Sequence, residues 1–193
     1  MSHASDGPTV FRMGKRTYLR PFEKNDIPLL TRWINDPEIT QYLTVSFPFT
    51  LQDETRWYES LSVKNEDNIV LAIVLKDSNE LIGSTGLHRI HSIDGTACTG
   101  SFIGRKDLWK QGYGSETKMI LLDYAFNTLN LRKIWSQVYA SNPRSKGHLE
   151  KCGYREEARL KKHIYRNGEY LDVFQLAVFK EDFLPLWEAF NHA

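Results

Sequence analysis

Apolar and polar positions in this chain switch repeatedly between a period of two and a period near 3.6, and the switching predicts the elements. Residues 16–20 (Arg-Thr-Tyr-Leu-Arg) read as a first strand stopped by Pro21. Asn25 or Asp26 then caps a helix with Pro28 in its first turn and Ile27, Leu30 and Trp33 or Ile34 on one face; Asp36-Pro37 ends it. Thr50 with Asp53 resembles a capping box for a second helix to about Leu61, turning Trp57, Tyr58 and Leu61 inward. Residues 68–76 and 80–89 are β-rich runs joined through Asp77-Ser78-Asn79 as a hairpin, and residues 96–104 continue the sheet.

Met119, Leu122, Phe126 and Leu129 fall at i, i+3, i+7 and i+10, one face of a third helix. Residues 133–140 are again strand-like. Asn142-Pro143 reads as an N-cap with proline at the first helical position, opening a short helix that stops before Gly153. Residues 154–165 and 170–179 alternate as strands around Asn167-Gly168, a strong hairpin signal. The order predicts a mixed α/β single domain over residues 14–193, with about seven mostly antiparallel strands and about four helices. The polar residues 1–13 are expected to form a flexible leader, and they lack the basic and apolar regions of a secretory signal.

Composition narrows the class. At 193 residues and 41% hydrophobic, the chain can close one core without disulfides or metal. Twenty-five Lys and Arg against 24 Asp and Glu give a net charge of +1, so no nucleic-acid or anionic-membrane partner is indicated. No apolar run approaches the ~20 residues of a membrane span. The two cysteines, Cys98 and Cys152, fit a reducing cytoplasm, and the six histidines show no metal-ligand spacing. No metal is expected.

The most specific chemistry lies where the 96–104 strand gives way to the third helix. Gly112 and Gly114 in Lys110-Gln111-Gly112-Tyr113-Gly114-Ser115-Glu116 free consecutive backbone N–H groups at a helix N-terminus, a ready anion site. Residues 102–116, the Asn142-x-x-Ser145 helix start and the Lys151-Cys152-Gly153-Tyr154 helix end resemble the acetyl-CoA motifs of the GNAT N-acetyltransferase superfamily. Leu19-Arg20-Pro21-Phe22, Glu116 and Asn167-Gly168-x-x-x-Asp172 resemble more narrowly its branch of ribosomal-protein N-terminal acetyltransferases. The likeness spans residues 15–183.

The resemblance implies a GNAT-like fold with a splayed central parallel pair of strands, 96–104 and 133–140. It implies direct transfer of an acetyl group from the co-substrate acetyl-CoA to a primary amine. Phe102, Ile103 and Gly104 would offer strand-edge groups to the pantetheine arm. Gln111, Gly112, Tyr113, Gly114 and Ser115 would cradle the pyrophosphate, with Lys110 either adding charge or simply solvated. Asn142 would cap the short helix and touch the pantetheine. Ser145 would donate a proton to the CoA thiolate.

Two departures from the family pattern stand out. Trp109 replaces the usual Gln or Arg three residues before the first glycine. Cys98 occupies the place of the glutamate that often serves as general base, leaving Glu156, Glu157, His88, His91, His163 or a water chain as alternatives. Leu149 sits where many polyamine and small-molecule enzymes carry an acid tyrosine. Acceptors open by analogy are a peptide N-terminus, a polyamine, an aminoglycoside or an amino sugar; a polyamine site should cluster acids, and Asp36, Glu38, Asp53 and Glu54 lie in suitable segments. The region around the first two helices covers the acceptor site in this superfamily; of Trp33, Tyr42, Phe47, Phe49, Trp57 and Tyr58, most are expected in the core and one or two in the acceptor pocket. The family allows a homodimer, through the last hairpin or residues 183–190, as well as a monomer. The competing reading is a non-catalytic acyl-CoA sensor with a degenerate site.

Overall fold

The computed structural model describes residues 9–45, 47–61 and 67–192. Eight strands form one sheet in the order β1-β2-β3-β4-β5-β6-β8-β7. They are β1 (Arg12–Met13), β2 (Thr17–Arg20), β3 (Asn68–Leu75), β4 (Leu81–His91), β5 (Thr96–Ile103), β6 (Lys133–Tyr139), β7 (Arg155–Arg166) and β8 (Glu169–Phe179). Six α-helices accompany them: α1 (Ile27–Ile34), α2 (Pro37–Thr40), α3 (Leu51–Leu61), α4 (Tyr113–Asp123), α5 (Pro143–Lys151) and α6 (Lys180–His192). The expected α/β architecture is present, with the additions at short or terminal pieces. Of the expected leader, residues 1–8 lie outside the described residues, while Arg12 and Met13 pair with Leu19 and Tyr18 as an edge strand.

The sheet is antiparallel except between β5 and β6. That pair is in register only at Thr96–Lys133, Ala97–Ile134 and Cys98–Trp135. Beyond Cys98, β5 continues paired to β4 alone, through Thr99–Leu87 to Ile103–Gly83. β6 continues paired to β8 alone, to Tyr139–Val173. The two strands therefore diverge, and the β6-side edge of β5 is left without a strand partner.

Two cores flank this sheet. The larger joins Leu19, Ile73, Ile82, Leu87, Ile134 and Leu176 to α4, α5 and Phe183 of α6. The smaller gathers Tyr18, Phe22, Leu30, Trp33 and Ile39 under α1 to α3. Phe22 and Trp57 meet edge to face at 5.5 Å there. α4 is buried from Glu116 through Leu122, including Lys118, so its apolar surface is wider than the single face that periodicity predicted.

Local chemistry explains most boundaries. Thr50 and Asp53 form the reciprocal capping box: Asp53 N–H donates to Thr50 Oγ1 (3.1 Å) and Thr50 N–H to Asp53 Oδ2 (2.9 Å). Asn167 and Gly168 carry φ of 52° and 81°, the left-handed pair that a two-residue hairpin needs. One expectation is refined. Asp26 makes no side-chain cap on α1; its Oδ2 accepts Glu23 N–H at 2.7 Å in a capping box for the single turn 24–26, and Arg20 NH1 and NH2 donate to the same carboxylate at 2.6 and 2.9 Å. As expected, α1 ends just before Asp36-Pro37, and the same pair also opens α2, with Asp36 Oδ1 accepting Glu38 N–H at 2.9 Å.

Candidate acetyl-transfer site

A cleft of about 840 Å³ opens where β5 and β6 diverge. Its walls are the uncovered stretch of β5, the start of α4, the start of α5 and the segment from Glu38 to Thr44.

The glycine loop forms one end. Gly112 precedes α4 with φ of 87°, a backbone state that L side chains resist. Glu116 N–H donates to Gly112 C=O at 3.0 Å. The N–H groups of Tyr113, Gly114 and Ser115 thus precede the helix's own ladder and point toward the cleft end. The loop is held by Glu116. Its Oε1 accepts the backbone N–H of Arg16 (2.7 Å) and of Thr17 (2.9 Å) and the Thr17 hydroxyl (3.0 Å), while Arg16 Nε meets Oε2 at 3.0 Å. Burial pushes this carboxyl's pKa up, but those hydrogen bonds outweigh it and the net displacement is downward.

Ser145 and Asn142 belong to the start of α5, another wall of the same cleft. Asn142 Oδ1 accepts Ser145 N–H at 3.0 Å, fixing the first turn of α5, and both residues line the cleft. Ser115 Oγ shares a hydrogen bond with His148 Nδ1 at 3.2 Å, linking α4 to α5.

Of the residues expected to hold acetyl-CoA, Phe102, Ile103, Gly112, Tyr113, Gly114, Ser115, Asn142 and Ser145 line this cleft. Gly104 and Gln111 stand outside its wall. A Cβ on Gly104 would fall within 2.4 Å of the Trp33 ring, so that glycine serves helix packing. Gln111 is exposed, its Nε2 donating to Asp107 C=O at 2.7 Å. Trp109, where the family usually has Gln or Arg, donates Nε1–H to Ile103 C=O at 2.8 Å and carries the Arg144 guanidinium 4.3 Å from its ring centre. It braces the end of β5 against α5.

The base candidates separate cleanly. Glu156 pairs with Lys146 at 2.6 Å and Glu157 with Lys133 at 2.6 Å. His91 meets Asp94 at 3.0 Å on the exposed end of β4, and His163 lies exposed on β7. Only His88 lines the cleft. It pairs in register with Cys98, the position that lacks the usual glutamate, and its Nε2 lies 3.5 Å from where a Gly100 Cβ would stand. Burial first, then the charges of Lys118 and Arg89, lower its pKa below the ordinary imidazole value, so it is neutral at pH 7 and able to accept a proton.

Sequence reasoning missed Lys118. It is 1% exposed, lines the cleft, and desolvation lowers its pKa to about 8. The run Met119-Ile120-Leu121-Leu122 was the available hint, because four consecutive apolar residues imply a helix covered on more than one side.

Remaining polar residues are structural. Asp172 accepts Arg159 Nε (2.6 Å) and Lys162 N–H (2.7 Å), bracing the irregular stretch of β7 where Lys162 has φ of 49°. Cys98 and Cys152 are free thiols. Among the described residues no His, Cys, Asp and Glu cluster could hold a metal, and no helix is long and apolar enough to cross a membrane.

Comparison with known proteins agrees with this geometry. The acetyltransferase (GNAT) domain profile matches residues 16–155. An N-acetyltransferase of Bacillus licheniformis is 30% identical over 173 residues, covering 88% of this chain and 96% of its own. The spermidine N(1)-acetyltransferase of Vibrio cholerae is 31% identical over 176 residues, covering 89% and 98%. The crystal structure of spermidine N-acetyltransferase from Vibrio cholerae in complex with CoA and spermine superposes with a TM-score of 0.80 at 25% identity, covering 88% of this chain and 98% of that one. Members of the matched family are acetyltransferases with acetyl-CoA as co-substrate. The profile covers most of the chain, and the chain belongs to the GNAT acetyltransferase family.

Proposed function

We propose that this enzyme transfers an acetyl group from acetyl-CoA directly to a primary amine in the β5–β6 cleft, with His88 as general base. The observation that carries the reading is the end of β5–β6 pairing at Cys98–Trp135. It leaves a strand edge and a cleft whose far end is the glycine loop, a shape suited to an extended arm ending in a pyrophosphate. In this reading the N–H groups of Tyr113, Gly114 and Ser115 bind the pyrophosphate, Phe102 and Ile103 flank the arm, and Asn142 holds the turn that presents Ser145. A protonated alkylamine must lose a proton before attack. The neutral imidazole of His88, on the strand beside Cys98, takes it. The Ser145 hydroxyl hydrogen-bonds to the sulfur as the C–S bond breaks.

For the acceptor, the cleft's own charges favour a compact monoamine or a peptide N-terminus. The cleft wall carries Arg89, Lys110, Lys118, Arg144 and Lys151 but one acid, Glu38. That acid is engaged by Lys106 Nζ at 2.7 Å, which also holds Asp36 at 2.8 Å. Asp53 is spent on the α3 cap. A polycation would find little unpaired negative charge here. The likeness to spermidine acetyltransferases supports the second reading, a polyamine acceptor; none of the relatives named above is a ribosomal-protein acetyltransferase, and the peptide reading rests on the motif resemblance and the cleft's charges alone.

Thiol release from acetyl-CoA, followed with peptide N-termini, polyamines, aminoglycosides and amino sugars side by side, tests all of this. Turnover with a peptide or amino sugar above spermidine is expected. Turnover confined to spermidine and spermine would establish the second reading. CoA binding without thiol release from any amine would instead establish an acyl-CoA sensor.

A further inference from the structure

Lys118 stands on the inner face of α4, one turn beyond Gly114. Its side chain lies in the protein interior, yet it belongs to the cleft wall. Among the described residues no hydrogen bond or ion pair engages it, and since no enclosed side-chain nitrogen is left unpaired, its Nζ reaches the cleft. The groups whose charges it feels are His88 of β4, Cys98 of β5, and His148 and Cys152 at the two ends of the α5 turn. Arg89, Arg144 and Lys151 add further positive charge around those histidines. Among the described residues no carboxylate balances the ammonium.

A desolvated cation without a counter-ion is costly, and proteins rarely keep one in an ordinary core position. The other cations of the cleft, Arg89, Lys110, Arg144 and Lys151, are exposed and suit a solvated phosphate. Lys118 is different: it sits inside, between the glycine loop and the Cys98 position of β5. That is where a pantetheine arm along β5 would bring its sulfur.

We propose that Lys118 is a catalytic residue whose ammonium stabilises the negative charge that develops on the departing CoA sulfur. This role rests on the acetyl-transfer reading above. As the acceptor nitrogen bonds to the carbonyl carbon, the C–S bond breaks and its electron pair remains on sulfur. His88, having passed the ammonium proton on to solvent, takes the second proton as the amide forms, and Lys118 keeps its own while pairing with the thiolate. An ammonium preorganised in a site of low dielectric stabilises such charge far better than water does. The same charge keeps His88 unprotonated, so one residue serves both proton problems. With a pKa near about 8, Lys118 is mostly charged at neutral pH and loses its role as pH rises through that value.

The test separates this role from the overall reaction. CoA bound to the protein is titrated by thiolate ultraviolet absorbance, with the protein alone as reference for Cys98 and Cys152. The bound thiol should ionise roughly one pH unit or more below free CoA, and Lys118→Met should abolish the shift. With acetyl-CoA and an accepted amine, Lys118→Met should lower kcat roughly 10²-fold and leave the KM for acetyl-CoA little changed. Its kcat profile should also lose the alkaline limb near pH 8. Lys118→Gln supplies the same readouts if the methionine variant folds poorly. An unchanged CoA thiol pKa in the variants would overturn the proposal, as would a variant that loses CoA affinity while keeping kcat at saturation. If the wild type acetylates no amine, the acetyl-transfer reading fails by itself, while the bound-thiol titration still judges Lys118.

Discussion

Glu116 Oε1 accepts both the backbone N–H and the hydroxyl of Thr17, at 2.9 and 3.0 Å, across 99 positions of sequence. This contact fastens the first turn of α4, and with it the glycine loop, to β2 in the sheet. In the proposed reading the carboxylate positions the end of the cleft that takes the pyrophosphate.

Glu116→Gln should therefore lower stability by about 1–3 kcal/mol, because buried donors from Arg16 and Thr17 lose a charged acceptor. The wild type's pH response follows from the same carboxyl. Its folded pKa is depressed, so its contribution is present above the unfolded value near 4.5 and is lost as pH falls through the lower folded value. Denaturant midpoints measured from pH 7 downward check both points: wild type and variant should converge toward acid pH. Parallel curves would show that Glu116 carries no such linkage.

The two glycines of the loop should respond differently to substitution. A Cβ at Gly114 would meet only His148 ring atoms at 3.8–3.9 Å, ordinary contact, whereas Gly112 has φ of 87° and Arg16 NH2 3.2 Å from its Cβ position. Gly114→Asp should fold normally and lose CoA binding by calorimetry, since a carboxylate would face the pyrophosphate. Gly112→Ala should lose about 1 kcal/mol or more from backbone strain alone. Full CoA affinity in Gly114→Asp would place the pyrophosphate elsewhere.

His88→Gln should reduce kcat by roughly 10²-fold or more. In the wild type, kcat should fall on the acid side as His88 takes a proton, at a pH below the ordinary imidazole value of 6.5, because burial and Lys118 lower its pKa. The variant should lack that acid limb. An unaltered limb in His88→Gln would assign it to another group.

Ser145→Ala tests the sulfur contact. The backbone cap from Asn142 uses the Ser145 N–H and not its hydroxyl, so α5 should start normally in the variant. The rate at saturating acetyl-CoA should drop while CoA affinity holds. Loss of affinity with an intact saturated rate would make Ser145 a binding residue only.

Arg20 and Asp26 supply a stability control away from the cleft. Both are buried, and the pair is bidentate at 2.6 and 2.9 Å. Asp26→Ala strands a buried guanidinium and should cost about 3–5 kcal/mol in chemical denaturation, with CoA binding retained under native conditions. A cost below ~1 kcal/mol would mean that water replaces the carboxylate.

Much was already legible in the chain itself. Asn167-Gly168, Thr50 with Asp53, and Asn142-Pro143 act through neighbours two or three positions away, so their turns and caps follow from local order alone. The glycine loop was readable for the same reason: φ at Gly112 and the free N–H groups after it depend on a few consecutive residues. What only the tertiary structure decided involves partners distant in sequence. Asp26 was legible as a local cap, but its buried pairing with Arg20 was not. His88 was one of several unranked bases until β4–β5 register set it opposite Cys98, while Glu156 and Glu157 were taken by lysines. Lys118 escapes a sequence reading because periodicity records one buried face, and α4 is covered on more than one by the sheet, α5 and α6. Sequence order fixes backbone geometry within a turn or two. Which charges end up unpaired in a cleft depends on how the sheet closes around them.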